Sequence, residues 1–232
     1  MRVFIGYDSR EDAAAITAAR SLKKVTNGQI EPELLKSARL YDQGLLWRPV
    51  DQRGSEDYDL TSNEYTSTRF KNTRFLVPML CQSGHALFVD CDVVFLRDPR
   101  EMLDEVLGAQ ALYVVKHHYH TGEQWKMVNQ RQKWYPRKNW SSVMLFNCDH
   151  PANRRLSLRD VNERTAQRLH SFYWLSDAEI GLLDPAWNWL VDVQPQPKNL
   201  GIAHMTLGGP WIDGWRGGSF DEQWLAAAAL AP

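Results

Sequence analysis

Apolar runs and amphipathic segments alternate along the chain, and this alternation predicts strands and helices in turn. The apolar runs 3–7 and 86–95 have the length of buried strands. The alanine-rich segment 10–24 follows Asp8 and Ser9, which are both common helix-capping residues. The same reasoning predicts strands at 111–115, 142–147, 187–193 and 202–207, and helices at 66–81, 98–107, 151–174 and 177–183. This order predicts an α/β protein with a mostly parallel sheet flanked by helices.

Two polar stretches interrupt this pattern. Residues 26–62 contain glycine, proline and many polar side chains, and within them 33–40 fits either a strand or a short helix. Residues 116–139 are polar, aromatic and basic, which indicates a surface or lid segment. We find no internal repeat and no clear linker, so we expect a single domain over residues 1–232.

Composition narrows the classes of function. The chain of 232 residues has 27 Lys and Arg against 28 Asp and Glu, so no general nucleic-acid binding is expected. None of its three cysteines has the C-x-x-C spacing of a zinc site, which favours a reducing, cytoplasmic location. No apolar run approaches the ~20 residues of a membrane span. Tryptophan is the most abundant aromatic residue, with ten copies, and such an excess calls for a specific explanation.

Two aspartates interrupt the most apolar predicted strand. Residues i and i+2 of a strand point to the same side, so Asp90 and Asp92 share a face and Cys91 lies on the other. Two like charges at the edge of a core are unfavourable unless something positive lies between them. A divalent cation with a preference for oxygen ligands meets that need. The alternative is that both carboxylates cap the next helix or pair with arginine.

The stretch 88–99, Phe-Val-Asp-Cys-Asp-Val-Val-Phe-Leu-Arg-Asp-Pro, resembles the Asp-x-Asp motif of the GT-A glycosyltransferases, especially those of family eight. The resemblance implies the GT-A fold, a Rossmann-like, mixed and mostly parallel central sheet flanked by helices. It also implies that Asp90 and Asp92 hold Mn²⁺ (or Mg²⁺), which bridges the diphosphate of a UDP-sugar. Cys91 is then placed among the cofactor-binding residues.

Three further motifs follow the family pattern in the same order. The N-terminal stretch 3–10 resembles the strand and loop that hold the nucleoside, so Tyr7 and Asp8 are expected at the uracil. The stretch Ser-Thr-Arg-Phe-Lys at 67–71 resembles a helix start whose arginine reaches the diphosphate. That arginine is Arg69, and Arg74 competes for the role.

The late motif His-Met-Thr-Leu-Gly-Gly-Pro-Trp at 204–211 resembles the family's His-Phe-Thr-Gly…Lys-Pro-Trp, whose histidine is a metal ligand. The resemblance therefore makes His204 the third protein ligand, while the position alone also fits a core histidine. Gly209 stands where the family has the lysine that grips phosphate.

Two weaker matches extend the resemblance over nearly the whole chain. The stretch 139–147 resembles a strand beside the donor sugar, although Trp-Ser-Ser replaces the family's Ala-Gly. Asp177 and Glu179 match a motif that lies near the donor, with Ala178 in place of a glutamine. The resemblance implies that these two carboxylates orient the donor hydroxyls or stabilise the developing cation, and Asp177 alone also fits a helix cap. By this reading about 1–115 form the nucleotide-binding half and about 116–232 the half for donor sugar and acceptor.

The function expected from this resemblance is a metal-dependent retaining glycosyltransferase that moves a sugar from a UDP-sugar to a carbohydrate or other hydroxyl-bearing acceptor. A nucleotidyltransferase on the same fold is one alternative, although the loop at 7–10 lacks the usual glycines. A non-catalytic sugar- or nucleotide-binding module is the other. Sugar rings stack well on broad aromatic surfaces, so tryptophans are expected along the cleft, namely Trp140, Trp187, Trp189, Trp211 and Trp215. Trp187 is the first candidate among them for a core position.

Overall fold

A six-stranded sheet forms the centre of the protein in the computed structural model, which describes residues 1–54, 56–106, 108–117, 125–126, 130–131, 137 and 140–230. The strands are β1 (Arg2–Gly6), β2 (Glu33–Leu35), β3 (Val50–Arg53), β4 (Glu56–Asp59), β5 (Glu64–Thr66), β6 (His85–Val89), β7 (Val93–Phe95), β8 (Leu112–Val114), β9 (Trp125–Lys126), β10 (Gln130–Arg131), β11 (Val143–Asn147), β12 (Ile180–Leu182), β13 (Trp189–Leu190) and β14 (Ile202–His204). The helices are α1 (Asp12–Val25), α2 (Ser37–Asp42), α3 (Val77–Cys81), α4 (Met102–Glu105), α5 (Leu158–Glu163), α6 (Ala166–His170) and α7 (Asp221–Ala228).

The central sheet has the strand order β12-β8-β11-β6-β1-β2. Strands β2, β1, β6, β8 and β12 run in one direction, and β11 lies antiparallel between β6 and β8. Helix α1 packs against β1 and β7, and α3 packs against β6 and β11. The predicted mixed, mostly parallel sheet flanked by helices is confirmed. Ligands in such open sheets bind beyond the carboxyl ends of the parallel strands.

The strand predicted over 86–95 is two strands in two different sheets. β6 ends at Val89, the chain bends through 90–92, and β7 continues in a three-stranded sheet of order β13-β14-β7. Two charged side chains inside the central sheet would be costly to bury, because its interior is apolar. They lie instead where the chain passes from one sheet to the next.

Other predicted elements differ from the structure in ways that have local causes. The helix predicted at 66–81 is confined to a 3-10 turn at Thr73–Leu76 and α3, with Pro78 in the first turn, where its missing N–H is not needed. The segment 177–183 is a 3-10 turn followed by β12, and 151–174 breaks into a 3-10 turn and two short helices. Short apolar runs carry too little periodicity to distinguish these forms.

The polar stretch 26–62 contains structure that the sequence pattern does not show. For residues 33–40 both predicted alternatives are found, because the strand β2 is followed directly by the short helix α2. An antiparallel sheet of order β3-β4-β5 follows, within residues 50–66. The larger part of 116–139 lies outside the described residues, apart from the antiparallel pair of β9 and β10. Within the described part of the chain, no helix combines the length and the apolar character needed to cross a bilayer.

A buried ion pair ties the β3-β4-β5 sheet to α5. The guanidinium of Arg48 contacts Asp59 Oδ2 at 2.6 Å, and both side chains are almost fully buried. The same guanidinium donates to the carbonyl oxygens of Val161, Asn162 and Arg164. Burial raises the pKa of Asp59, but the hydrogen bonds from Arg48 and Ser62 outweigh it and hold that pKa below its ordinary value of 3.8.

We therefore expect Asp59→Asn to lower the free energy of unfolding by about 3–5 kcal/mol, because it leaves the buried Arg48 charge unpaired. The contribution is complete above pH 3.8 and is lost as the pH falls through the lower folded-state pKa. Urea unfolding at pH 7 measures the effect. The matched control is Glu163→Gln, which breaks the exposed Arg159–Glu163 pair and should leave stability unchanged. Equal stabilities of the two variants would contradict the role of the buried pair.

Candidate metal and donor site

Sheet register brings Asp90, Asp92 and His204 together. β14 lies antiparallel to β7 with His204 opposite Val93, and the backbone N–H of Met205 donates to the carbonyl oxygen of Asp92 at 2.8 Å. One ligand atom from each of the three side chains lies within 4.8 Å of the other two. A divalent ion with ligands at about 2.1–2.5 Å spans such a group. Two carboxylates and an imidazole form a donor set that suits manganese and related divalent ions.

Arg74 holds the first of these carboxylates. Its Nη1 lies 2.9 Å from Asp90 Oδ1 and donates to the carbonyl oxygen of Ser141 at 2.7 Å. The guanidinium lies over the rings of Phe70 and Phe88, at 5.3 and 4.9 Å from their centroids. Arg74, which competed with Arg69 for the diphosphate in the sequence, is thus a buried partner of Asp90.

His204 lies between Asp92 and Asn188. Its Nε2 is 3.2 Å from Asp92 Oδ1, and its Nδ1 is 3.0 Å from Asn188 Oδ1. Asn188 is fully buried, and its Nδ2 lies 2.9 Å from Ser142 Oγ and 3.0 Å from His117 Nε2. Sequence reasoning assigned Asn188 no role.

Asp8 and Arg69 lie at the same sheet edge, because Ile5 of β1 pairs with Val89 of β6. Asp8 is fully buried and accepts hydrogen bonds from Arg10 and from the backbone N–H of Arg69. Burial raises the pKa of Asp8, but these hydrogen bonds outweigh it and lower the pKa overall. The expected contact of Asp8 with uracil stays a prediction.

The side chain of Arg69 reaches across this edge. Its Nε lies 3.0 Å from Asp57 Oδ2, and its Nη1 donates to Ser9 Oγ at 2.9 Å. Arg69 remains partly exposed, so its guanidinium is accessible to a phosphate.

Tyr7 is half-buried beside two polar neighbours. Its hydroxyl donates to Asp12 Oδ1 at 2.7 Å, and the ammonium of Lys36 lies 4.7 Å from the ring centroid. The hydrogen bond to Asp12 raises the pKa of Tyr7, so the phenol stays protonated at neutral pH. Its contact with a nucleobase stays a prediction.

Glu11 is a carboxylate of this edge that sequence reasoning missed. Burial, followed by the negative charges of Asp92 and Asp8, raises its pKa from 4.5 to about 7. The thiol of the fully buried Cys91 lies 3.6 Å from Glu11 Oε2, and burial raises the pKa of that thiol well above its usual value. The predicted role of Cys91 in cofactor binding gains no support from this placement. The available signal for Glu11 was its position one turn after the first strand.

Asp177 and Glu179 lie at the opposite end of the sheet from the metal ligands, ahead of the amino ends of β12 and β8. They precede β12, and the carbonyl oxygen of Glu179 accepts from the backbone N–H of Ala111, ahead of β8. Asp177 is 89% exposed and pairs with Arg137, whereas Glu179 caps its own turn through Ser176. The structure does not bring these two carboxylates to the metal ligands, and the catalytic role expected of them stays a prediction that their placement does not support.

Most of the tryptophans near the motifs are packing residues. Trp187 is fully buried, as expected, and its Nε1 donates to Glu105 at 2.7 Å. Trp189 and Trp211 belong to a second hydrophobic cluster, against Phe220 and Trp224 respectively. The remaining members of the expected set are Trp215, which donates to Asp221, and Trp140, which donates to the carbonyl oxygen of His117.

Gly209 packs under an aromatic ring of this second cluster. A Cβ atom at this position would lie 2.1 Å from the ring of Trp211. The lysine that the family pattern has here therefore cannot be introduced without displacing the indole.

Comparison with known proteins supports the fold and identifies relatives. No family model matches the chain. Protein CDI of Arabidopsis thaliana is 40% identical over 233 residues, which cover 97% of this chain and 84% of that protein. The galactosyltransferase LgtC, solved with donor and acceptor sugar analogues, superposes with a TM-score of 0.59 at 15% identity and covers 100% and 98% of the two chains. The glycosyltransferase GlyE of Streptococcus pneumoniae TIGR4 gives a TM-score of 0.58 at 14% identity, covering 99% of this chain and 61% of GlyE.

We expect Glu11→Gln to stabilise the metal-free protein at pH 8 by about 1–3 kcal/mol, because it removes a buried charge beside Asp92. The raised folded-state pKa means that the wild type loses stability as the pH rises from 4.5 to about 7, so the gain should nearly vanish at pH 5. Urea unfolding in EDTA at both pH values measures it. The control is Glu31→Gln at an exposed carboxylate, and a gain that is equal at pH 5 and pH 8 would contradict the assignment.

Proposed function

Since this chain belongs to the family of Protein CDI of Arabidopsis thaliana and has the GT-A glycosyltransferase fold, we propose that it is a metal-dependent retaining glycosyltransferase. It moves a sugar from a UDP-sugar to a carbohydrate or another hydroxyl-bearing acceptor. The observation that carries this proposal is the convergence of Asp90, Asp92 and His204 at the edge of the sheet where ligands of such folds bind.

The side chains at this edge would bind different parts of a nucleotide sugar. Asp90, Asp92 and His204 would hold Mn²⁺ or Mg²⁺, which when bound supplies Lewis-acid stabilisation of the negative charge on the leaving diphosphate. Arg74 pairs with the Asp90 carboxylate and orients it through the 2.9 Å contact between Nη1 and Oδ1. Arg69 presents an accessible guanidinium whose fork geometry suits a phosphate oxygen pair.

The nucleoside end of the donor is assigned to the carboxyl end of β1. Tyr7 offers an aromatic face that Lys36 already approaches, and Asp8 organises the loop through Arg10 and the Arg69 backbone. Asp8 therefore acts through the backbone that it fixes, since its own carboxylate is fully buried.

The near-neutral net charge of −1 argues against general nucleic-acid binding, and the proposed acceptor is a carbohydrate or another hydroxyl-bearing molecule. The three cysteines, Cys81, Cys91 and Cys148, are free thiols, which suits a reducing cytoplasmic setting.

The central test is a donor screen that measures nucleotide release from UDP- and GDP-sugars with and without Mn²⁺. We expect release from a UDP-sugar that requires the metal, and a loss of roughly 100-fold or more in kcat/KM for Asp92→Asn, because one carboxylate ligand is gone. Asp104→Asn, at an exposed position on α4, is the matched control and should retain full activity.

The alternatives give different results when nucleoside triphosphates are added to the screen as a second set of substrates. Metal-independent turnover, or an unaffected Asp92→Asn variant, contradicts the metal role. Nucleotide binding without transfer or hydrolysis favours a non-catalytic binding module, and release of pyrophosphate from a nucleoside triphosphate favours a nucleotidyltransferase.

A separate assay decides the role of Asp177 and Glu179. If they orient the donor, Asp177→Asn and Glu179→Gln should each lower kcat by about 100-fold, as expected for a group that acts in the transition state. Their position at the far edge of the sheet predicts instead that both variants keep the wild-type kcat and KM. Steady-state kinetics with the donor found in the screen distinguishes the two results.

A further inference from the structure

Asn188 is a buried amide whose polar atoms all face named partners. It lies at the end of the 3-10 turn Pro185–Asn188, directly before β13, and it is fully buried. Its Oδ1 is 3.0 Å from Nδ1 of His204, and its Nδ2 faces Ser142 Oγ at 2.9 Å and His117 Nε2 at 3.0 Å. A buried amide that is satisfied on both ends has a defined orientation, because its oxygen and nitrogen are not interchangeable.

The orientation of Asn188 bears directly on His204. A neutral imidazole carries one proton, on Nδ1 or on Nε2. With the proton on Nε2, it would point at Asp92 Oδ1, 3.2 Å away, and that nitrogen would have no lone pair for a cation. With the proton on Nδ1, the Asn188 oxygen accepts it and the Nε2 lone pair faces the carboxylates of Asp90 and Asp92.

His117 selects the second arrangement when its own ring proton is on Nδ1, and the Ser142 hydroxyl accepts the other N–H of the same amide. Both lie on the nitrogen side of the Asn188 amide, where its two N–H groups can donate to the Ser142 hydroxyl and to His117 Nε2. Acceptance at His117 Nε2 puts that ring's proton on Nδ1, so Gln194, whose side-chain nitrogen lies 3.3 Å from Nδ1, must turn its amide over and accept there through its oxygen. The Asn188 oxygen is thereby left for His204.

We propose that Asn188 is a positioning residue that fixes the Nδ1–H tautomer of His204 and so makes Nε2 available to a divalent cation. This inference rests on the proposed metal site. Partners of this kind, which accept the second ring proton of a histidine ligand, affect metal affinity by about 10–100-fold when they are removed.

The test compares two substitutions of nearly equal shape. Asn188→Asp keeps the acceptor for His204 but loses the amide donors, whereas Asn188→Leu loses both. We expect Asn188→Leu to bind Mn²⁺ about 10–100-fold more weakly than the wild type, and Asn188→Asp to bind it at least as tightly, because a carboxylate also accepts the Nδ1–H of His204. Titration of Mn²⁺ into each full-length protein, followed by electron paramagnetic resonance of the free ion, measures the affinities.

Nitrogen-15 NMR of the histidine rings reports the tautomer without any assay of activity. The metal-free wild type at pH 8 should show His204 as Nδ1–H, assigned by comparison with His204→Gln, and Asn188→Leu should shift it towards Nε2–H. This measurement on the wild type holds even where Asn188→Leu fails to fold.

Four results overturn the inference in different ways. An Nε2–H tautomer in the wild type removes its premise, and equal weakening by Asn188→Asp and Asn188→Leu shows that the amide acts through packing or donation. Mn²⁺ binding that is unchanged in both Asn188→Leu and Asp92→Asn refutes the metal site itself. Loss of binding in Asp92→Asn with full binding in Asn188→Leu refutes only the role of Asn188.

Discussion

Repulsion between carboxylates at one edge of the central sheet is the constraint on which the site depends. Asp8, Glu11, Asp90 and Asp92 all lie there, and burial, followed by the negative charges of Asp92 and Asp8, raises the pKa of Glu11 to about 7. Arg10 pairs with Asp8, Arg74 pairs with Asp90, and the Cys91 thiol lies beside Glu11. Asp92 faces Nε2 of His204, where a bound cation would supply the balancing charge. These contacts join β1, β6 and β14 at one point, so the arrangement of charges and the arrangement of strands depend on each other.

The second hydrophobic cluster packs against the strand that carries His204. Trp189 packs on Phe220 and Trp211 on Trp224, in the same cluster as Ala203 and Met205, which flank His204 in sequence. Part of the tryptophan excess of the chain therefore packs against the strand that carries the third metal ligand. Rigid support of this kind is what a ligand constellation requires, because small displacements of a metal ligand weaken binding.

The metal ligands could be predicted from the sequence, because their chemistry is recognisable locally and the strand register brings them together. The cost of two buried charges at Asp90 and Asp92 pointed to their pairing with a cation, and the ordered motifs pointed to His204, which the β7–β14 register then brings into contact. The sequence was uninformative where partners come from distant elements. The contact of Arg74 with Asp90 and that of Asn188 with His204 depend on how separate elements pack, which no local pattern encodes. A local pattern can also mislead. The motif match placed Asp177 and Glu179 at the donor, whereas in the fold they precede β12 at the end of the sheet opposite the metal ligands.

The position of β11 has a consequence for how the chain acquires its fold. β8 contacts β6 only through β11, which is antiparallel to both and follows them in the sequence. During synthesis the sheet therefore remains divided between β6 and β8 until Val143–Asn147 has emerged and inserted between them. The long-range pairing of β11 with β6 closes a loop of more than fifty residues, a slow step for a nascent chain. An amino-terminal fragment that ends near residue 115 would expose an unpaired β6 edge, the kind of surface that promotes aggregation.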